Sequence, residues 1–189
     1  KGRARTDWLP FWLWPPKISV YSPIFELQSQ LAFIMIDLER IKKLIVRGKT
    51  YEETFGEFDW KGFENAVSEI FVANNFHTKP NFRFKTRNRF EIDLVASNSL
   101  YVFCVDCKEW SLGRNKTSAL KTASKKQANR VNEFKKFLKK NIIAQNILRV
   151  NMQKEFLPVL VTLHEEPIKK VNETFVVPVK KLNSFLNSF

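Results

Sequence analysis

The chain has 189 residues, 44% of them hydrophobic, which excludes a disordered protein and allows one domain with a real core plus an appendage. Lys and Arg number 32 against 19 Asp and Glu, for a net charge of +13. That excess predicts nucleic acid or another anionic surface as partner, with a solubilising basic coat as the plain alternative.

Residues 1–55 read as an N-terminal extension, helical in part, and 56–189 as the main domain. "WLPFWLWPP" (Trp8 to Pro16) is aromatic but interrupted by proline and far too short to cross a bilayer. It also lacks the small-residue cleavage pattern of a signal peptide, so no membrane partner is expected. Ile24 to Val46 predicts a helix, apolar nearly all round at "LAFIMI", which must be buried within the chain or across a homodimer. Glu26, Asp37, Glu39 and Arg40 argue against a membrane span. "IKKLIVRGKTYEET" (Ile41 to Thr54) predicts two short helices around Gly48, a faint helix-turn-helix phrase.

Asp59 is a good N-cap, and Phe63, Ala66, Val67, Ile70 and Phe71 form a helical apolar stripe after it. Three strands are predicted at Asn81 to Thr86, Phe90 to Ala96 and Tyr101 to Lys108. Their short polar connections, "RN" and "SNS", predict antiparallel hairpins. A long helix follows from Thr117 to Lys140, then a buried strand from Phe156 to Leu163. Phe175 to Val179 reads as an edge strand because of its proline, and a short helix over Lys180 to Phe189 closes the chain. This order predicts an α/β fold, a mixed β-sheet flanked by helices.

Side chains alternate faces along a strand, so Phe103, Val105 and Cys107 share one face of the third strand and Val102, Cys104, Asp106 and Lys108 the other. Asp106 and Lys108 then project together from the end of a buried strand, which is costly unless they have partners or a metal. The D/E-x-K spacing recurs at Asp59/Lys61 and Glu133/Lys135, but the first is a helix cap, and residues two apart on a helix do not face each other. On the preceding strand Ile92 and Leu94 point one way and Glu91, Asp93 and Val95 the other. Asp93 can lie near Asp106 if their faces match, and two such carboxylates can hold Mg²⁺. Glu64 and Glu69 compete to supply a third acid. At about 100° per residue Glu64 lies roughly 90° from the stripe's centre and Glu69 roughly 130°, which favours Glu64. Cys104 and Cys107 form a C-x-x-C spacing open to redox or zinc chemistry. On a strand they face opposite ways, and with no second pair they read better as core residues in a reducing compartment.

Leu120, Ala123, Val131, Phe134 and Leu138 make a core-facing stripe on the long helix, and Gln127 falls inside it. The buried amide needs partners, either backbone or the acidic site. Lys121, Lys125, Lys126 and Arg130, with Arg114 and Lys116 in the preceding loop, form a basic rim suited to phosphates, or a solvated helix face.

Phe63-Glu64, "EID" (Glu91 to Asp93) and "DCK" (Asp106 to Lys108) resemble the PD-(D/E)xK nuclease superfamily. "DWKGFENAVSEIF", "FEIDLVA" and "VDCKEW" resemble its Mrr-like restriction endonuclease branch, with similarity also to archaeal Holliday junction resolvases; the likeness covers about Asp59 to Phe189. It implies a restriction-endonuclease-like fold and a Mg²⁺-dependent endonuclease, with Mn²⁺ able to substitute. Its substrate would be DNA, double-stranded or branched, met in the cytoplasm at the nucleoid. Asp93 and Asp106 would be metal ligands, with Glu64 bound directly or through water. Lys108 would position or activate the attacking water and stabilise developing charge. Gln127 matches a glutamine often found on the following helix, although Val131 stands where the Q-x-x-x-Y pattern has tyrosine. A non-cleaving DNA-binding module of the same fold, or an RNA-directed nuclease, is the alternative.

Overall fold

The computed structural model describes residues 40–56, 59–108 and 117–189. The aromatic segment Trp8 to Pro16, most of the expected helix from Ile24, and the rim residues Arg114 and Lys116 lie outside the described residues. Residues 40–46 are helical (α1) and Tyr51–Gly56 forms α2. Gly48 between them sits at φ +88°, a left-handed conformation that glycine adopts without strain.

Helix α3 spans Trp60–Ala73, and the Asp59 carboxylate caps it by accepting the Gly62 N–H at 2.7 Å. Phe63, Ala66, Val67 and Phe71 are buried, as the stripe predicts. Strands β1 (His77–Lys85), β2 (Arg89–Ser97) and β3 (Tyr101–Lys108) form the expected antiparallel meander. β1 begins four residues before Asn81, where the sequence reading starts it. Pro80 and Asn81 look like breakers, but β1 is the sheet's edge, where a proline forfeits no interior ladder bond, and Asn81 takes a left-handed φ of +50°.

Helix α4 (Thr117–Lys139) carries the chain back so that β4 (Glu155–Thr162) lies parallel to β3, a pairing that needs a long crossover. The short α5 (Ile142–Leu148) follows α4; too brief to show a periodic stripe, it was not predicted. Then come β5 (Lys170–Val171), β6 (Thr174–Pro178) and α6 (Val179–Leu186). The six-stranded order is β1-β2-β3-β4-β6-β5, a mixed sheet flanked by helices. β6 is not the outermost strand, as its proline implied, because β5 pairs outside it at Thr174 and Phe175. Pro178 lies beyond that two-residue ladder, so its missing N–H costs nothing there.

β3 is central, and its two faces feed two cores. Phe103, Val105 and Cys107 pack with α3 and α6; Val102 and Cys104 pack with α4 and α5. Phe103 is fully buried and meets Phe71, Phe76 and Phe189 at ring distances of 5.6, 5.2 and 5.2 Å. Truncating it to alanine would cost about 3–5 kcal/mol. Ile41 and Phe55 join the same core, and Phe55 meets Phe63 edge-on at 5.8 Å, so α1 and α2 pack onto the sheet domain.

Candidate active site

The site is built where β2 parts from β3. Their ladder runs from Ser97–Val102 to Leu94–Val105 and stops there, one residue short of Asp93 and Asp106. On β2 the alternation of faces slips at this point. Leu94 and Ala96 face the α3 core, whereas Ile92 and Val95 both face the α4 core. The expectation that Ile92 and Leu94 point the same way is therefore corrected. The slip coincides with the left-handed Asn81, flanked by the Pro80–Leu94 and Phe82–Ile92 pairs. Local breaks of this kind re-aim a side chain. Here the Asp93 carboxylate turns to the end of β3, where its Oδ2 accepts the Cys107 N–H at 2.9 Å.

Asp106 is buried and doubly paired. Lys108 Nζ stands 2.6 Å from Oδ2 and Arg130 Nη1 2.7 Å from Oδ1. Arg130 Nη1 also donates to Gln127 Oε1 at 2.5 Å, and Gln127 Nε2 donates to the Cys104 carbonyl at 2.7 Å. Gln127 is fully buried, as its place in the apolar stripe predicts, and it satisfies both readings of its amide: one end bonds backbone, the other reaches the acidic site through Arg130. Arg130, expected on the outer rim, turns inward onto Asp106. It stands three residues after Gln127, a spacing that places both on one helix face and so was readable in the sequence.

Glu64, on α3, is half-buried and electrostatically joined to the two aspartates. Burial raises its pKa first, and the charge on Asp93 raises it further, with smaller contributions from Glu91 and Asp106. Asp93 is likewise raised, first by burial and then by Asp106, while the Cys107 N–H, Lys108 and Arg130 oppose the shift. The three acids come from three elements, and the charges of Asp93 and Asp106 reach Glu64. Glu69, the less favoured competitor, is more deeply buried than its angle predicts. Lys121, Lys125 and Lys126 are exposed on α4.

The Asp93 and Asp106 carboxylates are donors of the kind a hard divalent cation takes. The Asp106 oxygens each accept one bond in the contacts above, and a carboxylate oxygen has two lone pairs. Mg²⁺ asks for one or two carboxylates, with waters completing its octahedron. Among the described residues, no three or more His, Cys, Asp or Glu are gathered closely enough to hold an ion as they stand. A thiolate site is not supported, because burial pushes Cys104 up to about 12 and Cys107 well above the ordinary thiol value.

A nuclease-related domain (NERD) model matches residues 47–179. An uncharacterized protein of Archaeoglobus fulgidus is 32% identical over 130 residues, covering 68% of this chain and 90% of the relative. Among crystal structures, the protein of unknown function AF1548 matches at 18% identity and a TM-score of 0.30, over 64% of this chain and 50% of that one. The protein VC1899 from Vibrio cholerae matches at 10% identity and a TM-score of 0.35, over 68% of this chain and 32% of that one. The chain thus spans half or less of those two solved chains, and likenesses this low carry no weight for the activity.

Proposed function

The chain belongs to the nuclease-related domain family, within the PD-(D/E)xK-like nuclease superfamily, and on that premise we propose that it is a divalent-cation-dependent endonuclease hydrolysing phosphodiester bonds in DNA, double-stranded or branched. Nucleic acid as substrate agrees with the net charge of +13. Among the described residues no helix is long and apolar enough to cross a membrane. The observation that carries the reading is the acid pair with its lysine: Asp106 and Lys108 at the end of β3, with Asp93 beside them where β2 departs.

Asp93 and Asp106 would hold Mg²⁺, or Mn²⁺ in its place, with Glu64 completing the set directly or through water. Such an ion, when bound, acidifies water and offsets charge on phosphoryl oxygens. The chain's own groups do the rest. Lys108 presents an ammonium beside the acids, placed to orient the attacking water and to stabilise the charge that develops on phosphate. Arg130 and Gln127 are positioning residues that fix the Asp106 carboxylate. Lys121, Lys125 and Lys126 supply cations for the flanking phosphates.

A second reading is a non-cleaving DNA-binding module. It is favoured by the pairing of both Asp106 oxygens with cations, which satisfies the carboxylate within the protein. The test is incubation of the purified chain with linear, supercoiled, single-stranded and four-way-junction DNA in Mg²⁺, Mn²⁺ or EDTA. Cleavage with either ion and none in EDTA supports the nuclease; binding without cleavage in every condition supports the module.

A further inference from the structure

Beyond the acids, β1 and β2 continue as a two-stranded arm that β3 does not cover. The β1–β2 ladder extends to Lys85–Arg89, whereas the β2–β3 ladder stops at Leu94. Residues 89–93 alone make about 16 Å of strand at about 3.3 Å per residue. A bare two-stranded arm is marginal in water, yet this one is braced. Phe82 and Phe84 pack on Phe134 and Phe137 of α4, at ring distances of 5.3–6.2 Å, and the Thr86 hydroxyl donates to Glu133 at 2.5 Å.

The arm interleaves aromatic and basic side chains in "FRFKTRNRF" (Phe82 to Phe90). Phe84 and Phe90 stack at 5.3 Å with their planes 19° apart. Beside them opens a cleft of about 680 Å³, lined by Phe84, Phe90 and Phe137, by Arg83, Lys85 and Arg89, and by Glu91. Arg83 is occupied across the strands by Glu91, at 2.9 Å. Lys85 and Arg89 make no ion pair with the described residues. Charges on an edge strand can simply discourage sheet pairing between molecules. That accounts for Lys85 on β1 and, because β3 does not cover this part of β2, for Arg89 as well, but not for partly exposed rings lining a cavity among the cations.

Rings that offer a π-face beside cations are the chemistry that holds unpaired bases with their phosphates. We infer that the arm grips a single-stranded stretch of nucleic acid, one base stacking on Phe90 and Phe137 while Lys85 and Arg89 hold the adjacent phosphates. A duplex passing the acids would then be preferred when it carries an unpaired tail or a fork. The inference rests on the nucleic-acid reading above and names its substrate class, a junction of paired and unpaired strands.

The test is affinity in EDTA, where cleavage cannot intervene, for labelled blunt duplex and for the same duplex with a ten-nucleotide tail carrying 2-aminopurine. The full chain should bind the tailed duplex more tightly, and 2-aminopurine fluorescence should be quenched by stacking. Phe90→Leu should weaken tailed binding about 5- to 100-fold and abolish the quenching, while leaving blunt binding unchanged. Lys85→Gln with Arg89→Gln should weaken tailed binding and reduce its salt slope by about 1.4, two contacts at about 0.7 each. Equal affinity of the full chain for blunt and tailed duplex, or binding without quenching, overturns the inference whether or not the variants fold. No binding to either DNA would overturn the proposed function itself.

Discussion

A single nitrogen of Arg130, Nη1, donates both to Asp106 Oδ1 at 2.7 Å and to Gln127 Oε1 at 2.5 Å. It therefore ties the acid of β3 to the buried amide of α4, which is itself anchored to the backbone of β3. Removing the guanidinium leaves Asp106 with Lys108 alone and leaves the Gln127 oxygen without its charged donor. Arg130→Ala should lower stability by about 1.5–3 kcal/mol, the range for a charged hydrogen bond. Urea unfolding at neutral pH measures it, and an unchanged midpoint would show that Arg130 does not fix Asp106.

Asp93 carries the opposite sign of charge economy. Its folded pKa is raised above the ordinary 3.8, chiefly by burial and then by Asp106. The folded state therefore binds the proton more readily than the unfolded state, and stability is lost as pH rises from the ordinary value through the raised one. Asp93→Asn cannot ionise and escapes that loss. In EDTA it should melt above the parent near pH 7, and the two should converge near pH 3. Adding Mn²⁺ should reverse the order. An ion binding only the folded state adds about 2.7 kcal/mol at a hundredfold excess over its Kd, and the variant should forgo most of it. Equal gains with Mn²⁺ would remove Asp93 from the ligand set.

Much of this was legible in the sequence because it depends on local pattern. The Asp59 cap, the span of β3, the assignment of Asp106 and Lys108 to one face, and the burial of Gln127 all follow from alternation or helical period. What was not legible depends on partners distant in sequence. Ile92 and Leu94 obey alternation on paper, but the strand slips at Asp93, in step with a left-handed Asn81 on its neighbour. Glu69 reads as off the stripe, yet it is buried in the fold. β5, at two residues, has no periodicity to detect, so its cover over β6 had no sequence signal. Arg130 reads as part of the rim because it is a cation, although its spacing from Gln127 points inward.

The exposed lysines of α4 make a separate claim, about binding. If Lys125 and Lys126 each neutralise a phosphate, changing both to alanine should flatten log K against log salt by about 1.8 on duplex DNA. Binding isotherms across a salt series, in EDTA, read this directly. A slope equal to the parent's would move the duplex path off α4.

The most direct test of the central claim is strand cleavage by Asp106→Asn and Lys108→Ala beside the parent, with supercoiled and junction DNA and Mg²⁺ or Mn²⁺ in excess. Both residues sit at a strand end, so both variants should fold, as far-ultraviolet circular dichroism would confirm. The account predicts cleavage by the parent that EDTA abolishes, and rates at least a hundredfold lower in each variant, about 2.7 kcal/mol of lost transition-state stabilisation. Cleavage by folded Lys108→Ala or Asp106→Asn at the parent's rate would contradict it.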